Sequence, residues 1–154
     1  MKKFQWIVIA VIVCFAVGYS ARWFQADALI EWYPLLDKPS ITPPNWVFPI
    51  AWAFIYLCMG ISVGLLQPVE KDRRHGLLVI FTAQLLLNFL WSITFFAFRS
   101  PMLGLINIIA LDYAVVAYID RSSKVNTLSA WLFAPYALWL LFATYLNGYI
   151  YYAN

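Results

Sequence analysis

Residues 32–60, WYPLLDKPSITPPNWVFPIAWAFIYLCMG, decide the reading of this chain. Pro34, Pro39, Pro43 and Pro44 restrict the backbone of the first half, and from Trp46 onward the residues are apolar for about the 20 positions that a membrane span needs. A loop rich in Pro and Trp therefore runs straight into a long apolar helix. Aromatic rings fall on both parts: Trp32 and Tyr33 on the loop, Trp46, Phe48, Trp52 and Tyr56 at and inside the helix. The loop, residues 25–44, exceeds the roughly 12–15 residues beyond which a connection is usually functional or disordered. Its Leu29, Ile30, Leu35 and Leu36, with Trp32 and Tyr33, would be costly to leave in water. The connection is thus expected to fold back as an ordered lid over the helices. Thr42 is a candidate N-cap with Pro43 or Pro44 in the first turn, Asn45 being the alternative. Pro49 is expected to kink this helix or mark its start.

Outside this stretch the composition sets the class. With 64% hydrophobic and 11% charged residues and a mean hydropathy of +0.77, 154 residues cannot hide their apolar surface in a water-soluble domain. The apolar runs 4–21, 46–66, 77–98, 102–119 and 128–146 each approach the length of a membrane span. The expected fold is an all-α integral membrane protein, a single domain over 1–154 made of five transmembrane helices in a bundle, with the lid between helices 1 and 2. Membrane lipid surrounds it. The net charge of +3 comes from the flanks of the spans and forms no basic stripe, so nucleic acid is excluded as a partner. Seven Lys and Arg flank the N-terminus and the second and fourth connections, against Arg22, Lys38 and Arg99 on the other side. This asymmetry predicts a multi-pass protein of the cell membrane with a cytoplasmic N-terminus and an extracytoplasmic C-terminus. Lys2 and Lys3 followed by an apolar run to Ala21 also fit a cleaved signal peptide, but the short connections favour an uncleaved first span.

Helix 1 is expected over 4–22, with a small-residue stripe of Ala10, Cys14, Gly18 and Ala21 that suits close packing in lipid, and with Arg22, Trp23 and Phe24 as an interfacial anchor. Cys14 and Cys58 read as packing residues. Asp27, Glu31, Asp37 and Lys38 read as solvated loop charges or a local Asp–Lys pair. On helix 2, Trp52, Tyr56, Met59 and Ser62 share a face, and Gly60 and Gly64 form a GxxxG contact signal. His75, the only histidine, lies outside the bilayer. An iron or zinc ion would want His or Cys ligands, so no metal and no cofactor is expected. Helix 3 places Gln84, Asn88, Trp91, Ser92 and Phe95 on one stripe, whose polar members must face the interior, either bonding helices together or touching a ligand. Asp112 stands near the centre of helix 4 and must face inward to a partner such as an Asn, Tyr or Trp N–H, or be protonated. Helix 5 carries Tyr136, Trp139, Phe142, Ala143, Leu146 and Asn147 largely on one face, and Pro135 is expected to bend it.

Trp32-Tyr-x-x-Leu36-x-Lys38-Pro39, then Pro43-Pro44-x-Trp46-x-Phe48-x-x-x-Trp52, then Tyr56-x-x-Met59-Gly60 resemble the TspO/MBR family. These are the tryptophan-rich sensory proteins whose animal members are called translocator protein or peripheral benzodiazepine receptor. The stripe from Gln84 to Phe96 and the run from Pro135 to Asn147 resemble the same family. The resemblance implies a five-helix bundle, often a homodimer, with a cavity beneath the first loop that accepts porphyrins and isoquinoline carboxamide or benzodiazepine drugs. Bacterial members look like tetrapyrrole sensors tied to oxidative stress, and some resemble catalysts that degrade protoporphyrin in light. On this reading the ligand site comprises Trp32, Tyr33, Trp46, Phe48, Trp52, Tyr56, Asn88, Trp91, Tyr136, Trp139, Phe142, Ala143 and Leu146. Any light-dependent chemistry would run on Trp52 and Trp139. Such a site suits a porphyrin physically, because the indoles offer stacking faces and Asn88 a donor. Two departures stand out: Ile41 replaces a Trp of many members, and the tail after Asn147 lacks the cation of the sterol-binding pattern. A transporter of porphyrins or other hydrophobic small molecules is the alternative, though the odd number of helices and the lack of a visible repeat count against it. The chain has no phosphate-binding Gly loop and no His-activated nucleophile, which excludes kinase and ordinary hydrolase chemistry.

Overall fold

The computed structural model describes residues 2–154. Its elements are α1 (Lys3–Glu31), a 3₁₀ turn (Tyr33–Leu35), α2 (Val47–Gly64), α3 (Lys71–Trp91) continued by a π-helical turn (Ser92–Ala97), α4 (Pro101–Ser123), α5 (Thr127–Trp131) and α6 (Ala134–Ala153). Among the described residues there is no strand. Five stretches are long and apolar enough to cross a bilayer: α1, α2, α3 with its π turn, α4, and α5 with α6. The outward faces are apolar too, with Ile12, Leu86, Ile109, Val116 and Leu138 exposed. A surface of that kind is solvated by lipid rather than water. The protein is an all-α, multi-pass membrane bundle of five long helices.

Small residues set the closest approach in the bundle. A Cβ at Gly60 would lie 2.5 Å from the Cα of Val11, and one at Gly64 would lie 2.6 Å from the Cα of Ile7, so α1 rests directly on the backbone of α2. The α1 stripe faces the same way, with Cys14 and Ala21 buried. Packing of this kind holds helices together in lipid, where burial away from water no longer drives association. At the end away from the lid, Ser62 Oγ lies 3.0 Å from the Tyr118 hydroxyl and donates to the Ser129 carbonyl at 2.7 Å, tying α2, α4 and α5.

Several sequence expectations change at helix ends. Helix 1 does not stop at Arg22 but continues to Glu31, because Trp23 to Glu31 contains neither Pro nor Gly and the first breaker is Pro34. Its 29 residues span about 44 Å at 1.5 Å per residue, against a hydrocarbon core of about 30 Å. The last turns therefore rise beyond the core, and the connection shortens to 32–46. Neither Thr42 nor Asn45 caps α2, which begins at Val47 without a side-chain cap. Thr42 instead donates its hydroxyl and its N–H to the Pro39 carbonyl, at 2.7 and 2.9 Å. The two following prolines hold Thr42 and Pro43 out of the helical region. Pro49 is the third residue of α2 and marks its start, where its missing N–H is no loss. The fifth span breaks at Leu132–Phe133, so Pro135 opens α6 rather than bending one continuous helix. The helix then runs on to Ala153 instead of ending near Leu146.

Of the two readings of the loop charges, the local Asp37–Lys38 pair does not form, and Asp37 is exposed. The Lys38 ammonium donates to the Tyr33 and Leu36 carbonyls at 2.8 and 2.9 Å and lies 4.9 Å from the centre of the Tyr33 ring. It closes the 3₁₀ turn from within. Glu31 pairs with Arg99 at 2.6 Å.

Candidate functional site

The lid is seated on α3. Trp32 meets Phe95 edge-on with centroids 5.4 Å apart, and Tyr33 lies 6.4 Å from Phe95 and 5.7 Å from Phe96. Tyr33 is buried there, and the loss of water pushes its phenol pKa above the ordinary value. The Asp37 N–H donates to Asn154 Oδ1 at 2.9 Å and Asn154 Nδ2 donates to the Asp37 carbonyl at 3.1 Å, fastening the lid to the end of α6. Phe95 and Phe96 come from the π turn, in which the Phe98 N–H reaches back to the Ile93 carbonyl at 2.9 Å and the Ser100 N–H to that of Phe95 at 3.2 Å. Such wide turns are rare and concentrate at functional positions. Arg99 ends the segment with φ +49°, a left-handed conformation uncommon for a residue with a side chain, and from there it reaches Glu31.

A second aromatic group fills the seam between α2 and α6. Trp52 stacks on Tyr56 at 5.5 Å and 27° and meets Tyr136 edge-on at 6.0 Å. Phe48 meets Trp139 at 5.7 Å, and Trp139 lies 5.9 Å from Phe142. Asn88 bridges the seam from α3: the Tyr56 hydroxyl donates to its Oδ1 at 2.9 Å, and its Nδ2 donates to the Tyr136 hydroxyl at 3.0 Å. The backbones of α2 and α6 do not pack closely as those of α1 and α2 do, and the two helices meet through rings. Tyr56 and Tyr136 are buried, Trp52 and Trp139 half-buried.

Trp91 connects the two groups. It stacks on Phe95 at 5.0 Å and 14°, packs against both clusters, and donates its indole N–H to Asn147 Oδ1 at 3.1 Å. Asn147 Nδ2 donates in turn to the Pro101 carbonyl at 2.7 Å. The structure thus brings Trp32, Tyr33 and Trp91 together with Phe95 and Phe96, and brings Phe48, Trp52, Tyr56, Asn88, Tyr136, Trp139 and Phe142 together in the seam. Ala143 packs half-buried on the seam side, Leu146 is buried farther along α6, and Trp46 is 67% exposed, apart from both groups.

Of the other polar residues, Ser92 accepts from Gln25 Nε2 at 2.7 Å. Asp112 accepts from the Thr144 hydroxyl at 2.7 Å, so it faces α6 with a partner, though not one of the types expected. Gln84 is fully buried, and its Oε1 has no hydrogen-bond partner among the described residues. Gln25, Phe95, Phe96, Asn147 and Asn154 are absent from the sequence-based site. Asn147 could have been found, since it shares a stripe with Trp139 and Ala143; Gln25 could have been found only if helix 1 had been carried past Arg22, where it continues the stripe of Gly18 and Ala21 toward Ala28.

Comparison with known proteins gives one consistent result. The profile of the TspO/MBR family matches residues 10–153. The chain is 38% identical over 151 residues to the tryptophan-rich protein TspO of Archaeoglobus fulgidus, covering 96% of each chain. It is 32% identical over 148 residues to the protein of the same name from Chlorobaculum tepidum, covering 95% of this chain and 94% of that one. It is also 32% identical over 131 residues to the translocator protein of Homo sapiens, covering 83% and 77%.

Proposed function

Because the chain belongs to the TspO/MBR family, we propose that it is a membrane receptor for a porphyrin-type tetrapyrrole, whose site also takes isoquinoline carboxamide or benzodiazepine-type molecules. The ligand lies in the aromatic seam, with the lid at its entrance beyond Trp91. The observation that carries this reading is that α2 and α6 are spaced by rings, Phe48, Trp52 and Tyr56 facing Tyr136 and Trp139, rather than by close backbone packing. A planar π-system can exchange those ring contacts for its own, at about 0.5–1.5 kcal/mol per aromatic pair beyond area burial. The half-buried Trp52 and Trp139 offer the stacking faces, and Asn88 keeps the two tyrosines in place. Trp32 and Tyr33 act as the gate, since lifting them from Phe95 and Phe96 exposes Trp91 and the way into the seam. Phe142, Ala143 and Leu146 continue the wall along α6, while Trp46, exposed and apart from both groups, would reach the ligand only by moving. The cation-rich end faces the cytoplasm, and the protein functions as a homodimer.

Titration of the purified protein with protoporphyrin, followed by tryptophan quenching in the dark and by porphyrin absorbance in light, tests the reading. Saturable quenching with stable absorbance is the expected result for a receptor. Porphyrin loss in light adds a degradative activity, for which Trp52 and Trp139 are the candidate residues. Vectorial uptake into proteoliposomes would replace the receptor by a transporter, and unsaturable quenching would remove the site.

A further inference from the structure

The charge of the molecule lies at one end. Around the lid, three cations (Arg22, Lys38, Arg99) face three acids (Asp27, Glu31, Asp37) and cancel. At the opposite end, seven Lys and Arg face three acids, a net of four positive charges, and Asp112 within α4 brings the total to +3. These charges are not evenly spread. A groove of about 470 Å³ runs between the start of α1 and the first two turns of α3, lined by Trp6, Lys71, Asp72, Arg74, His75 and Leu78.

Its floor is fixed. Arg74 donates from Nη1 to the Gln67 carbonyl, and to that of Val69 at 3.5 Å, while its guanidinium lies 5.7 Å from the centre of the Trp6 ring. The remaining guanidinium N–H groups have no partner among the described residues, and Lys71 has no ion-pair partner there either. A neighbouring groove of about 380 Å³, lined in part by Glu70, Arg73 and Lys124, differs in this respect. Its two cations are already paired, Arg73 with Glu70 at 3.6 Å and Lys124 with Asp120 at 2.7 Å. Of the two grooves, the first alone combines unpaired cations with an apolar wall.

We infer that the Trp6–Lys71–Arg74 groove binds the phosphate of an anionic phospholipid, with Lys71 and Arg74 on the headgroup and Trp6 and Leu78 along the upper acyl chain. Basic pockets between spans, at the membrane face that carries the positive charge, recognise such headgroups, and a Trp at headgroup depth suits the boundary between phosphate and chain. Asp72 is the one acid in the lining, and the two unpaired cations outweigh it. The occupant is a lipid rather than free phosphate because Trp6 and Leu78 add an apolar wall that a bare anion would leave unused.

Native mass spectrometry from neutral detergent, with phosphatidylglycerol and phosphatidylcholine of matched chains, reads the preference directly. Phosphatidylglycerol is expected to bind more tightly, and Lys71→Gln and Arg74→Gln each to reduce its affinity about fivefold, the equivalent of about 1 kcal/mol per cation. The paired cations serve as the control: Arg73→Gln with Lys124→Gln is expected to stay within about twofold of the parent. Lys71 makes no side-chain hydrogen bond or ion pair among the described residues, so its variant reports even if Arg74→Gln disturbs the turn. Equal binding of the two lipids overturns the inference, as does an equal loss in the control variant, which would mean diffuse surface charge. Complete displacement of the lipid by inorganic phosphate at the same concentration would assign the groove to free phosphate and overturn it too.

Discussion

Replacing Asn88 by Leu removes the group that joins α2 and α6 through α3 while keeping a side chain branched at the same carbon. Two contacts disappear together, the Tyr56 hydroxyl to Oδ1 at 2.9 Å and Nδ2 to the Tyr136 hydroxyl at 3.0 Å. Interhelical hydrogen bonds in membrane proteins contribute about 0.6 kcal/mol on average and about 1.7 at most. The pair therefore contributes about 1–3 kcal/mol, and two buried hydroxyls left unpartnered push the loss toward the upper end. Unfolding in mixed micelles with increasing SDS, followed by tryptophan fluorescence, measures it. Double-mutant cycles then separate the bridge from the change in volume: Asn88→Leu should couple to Tyr136→Phe and to Tyr56→Phe by about 0.6 kcal/mol or more in each cycle. Changes that add within about 0.3 kcal/mol in both cycles would show that Asn88 does not bridge the seam and refute the reasoning.

Asp112→Asn keeps an acceptor for the Thr144 hydroxyl, so it should leave the folded fraction unchanged, whereas Thr144→Val should destabilise by about 1–3 kcal/mol; the reverse order, seen in the same SDS titration, would deny a packing role. Trp52→Phe and Trp139→Phe keep a stacking face and should hold porphyrin within about 1–1.5 kcal/mol of the parent. If the parent consumes porphyrin in light, these variants should lose far more of that rate than of binding, because phenyl rings are harder to oxidise than indole; an unchanged rate makes both tryptophans pocket walls. For orientation, single cysteines at the exposed Ser40 and Asp72, in a background without Cys14 and Cys58, should react with an impermeant reagent on intact cells at Ser40 only. Labelling at Asp72 alone would invert the topology.

The membrane class and the five spans were legible because an apolar run of about 20 residues fits little besides a membrane span. Helix ends were not. The fate of Trp23 to Glu31 turned on whether a breaker-free segment of mixed apolar and charged residues would continue the helix along the bundle or leave it as loop, and Gln25 reaching Ser92 is a contact between residues far apart in sequence. The Gly60 and Gly64 pattern announced a close helix contact, though not that its partner would be the backbone of α1 at Val11 and Ile7. Within the candidate site, the α3 stripe from Gln84 to Phe95 and the α6 face from Tyr136 to Leu146 were readable from helical spacing. The π turn was not, since nothing in the run from Ser92 to Ala97 distinguishes it from α-helix. The seat of the lid pair Trp32 and Tyr33 on Phe95 and Phe96, with Trp91 between the lid and the seam, was therefore not legible either.

The seam between α2 and α6 as a tetrapyrrole site is tested most directly by the equilibrium dissociation constant for protoporphyrin in the dark, measured for the parent, Trp139→Ala and Trp23→Ala. Trp139 stands half-buried against Phe48 in the seam, while Trp23 is 77% exposed on the far turns of α1. Loss of one large aromatic wall, at about 1.5 kcal/mol or more, should weaken binding about tenfold in Trp139→Ala and leave Trp23→Ala within about twofold of the parent. Equal constants for all three proteins would place the ligand outside the seam.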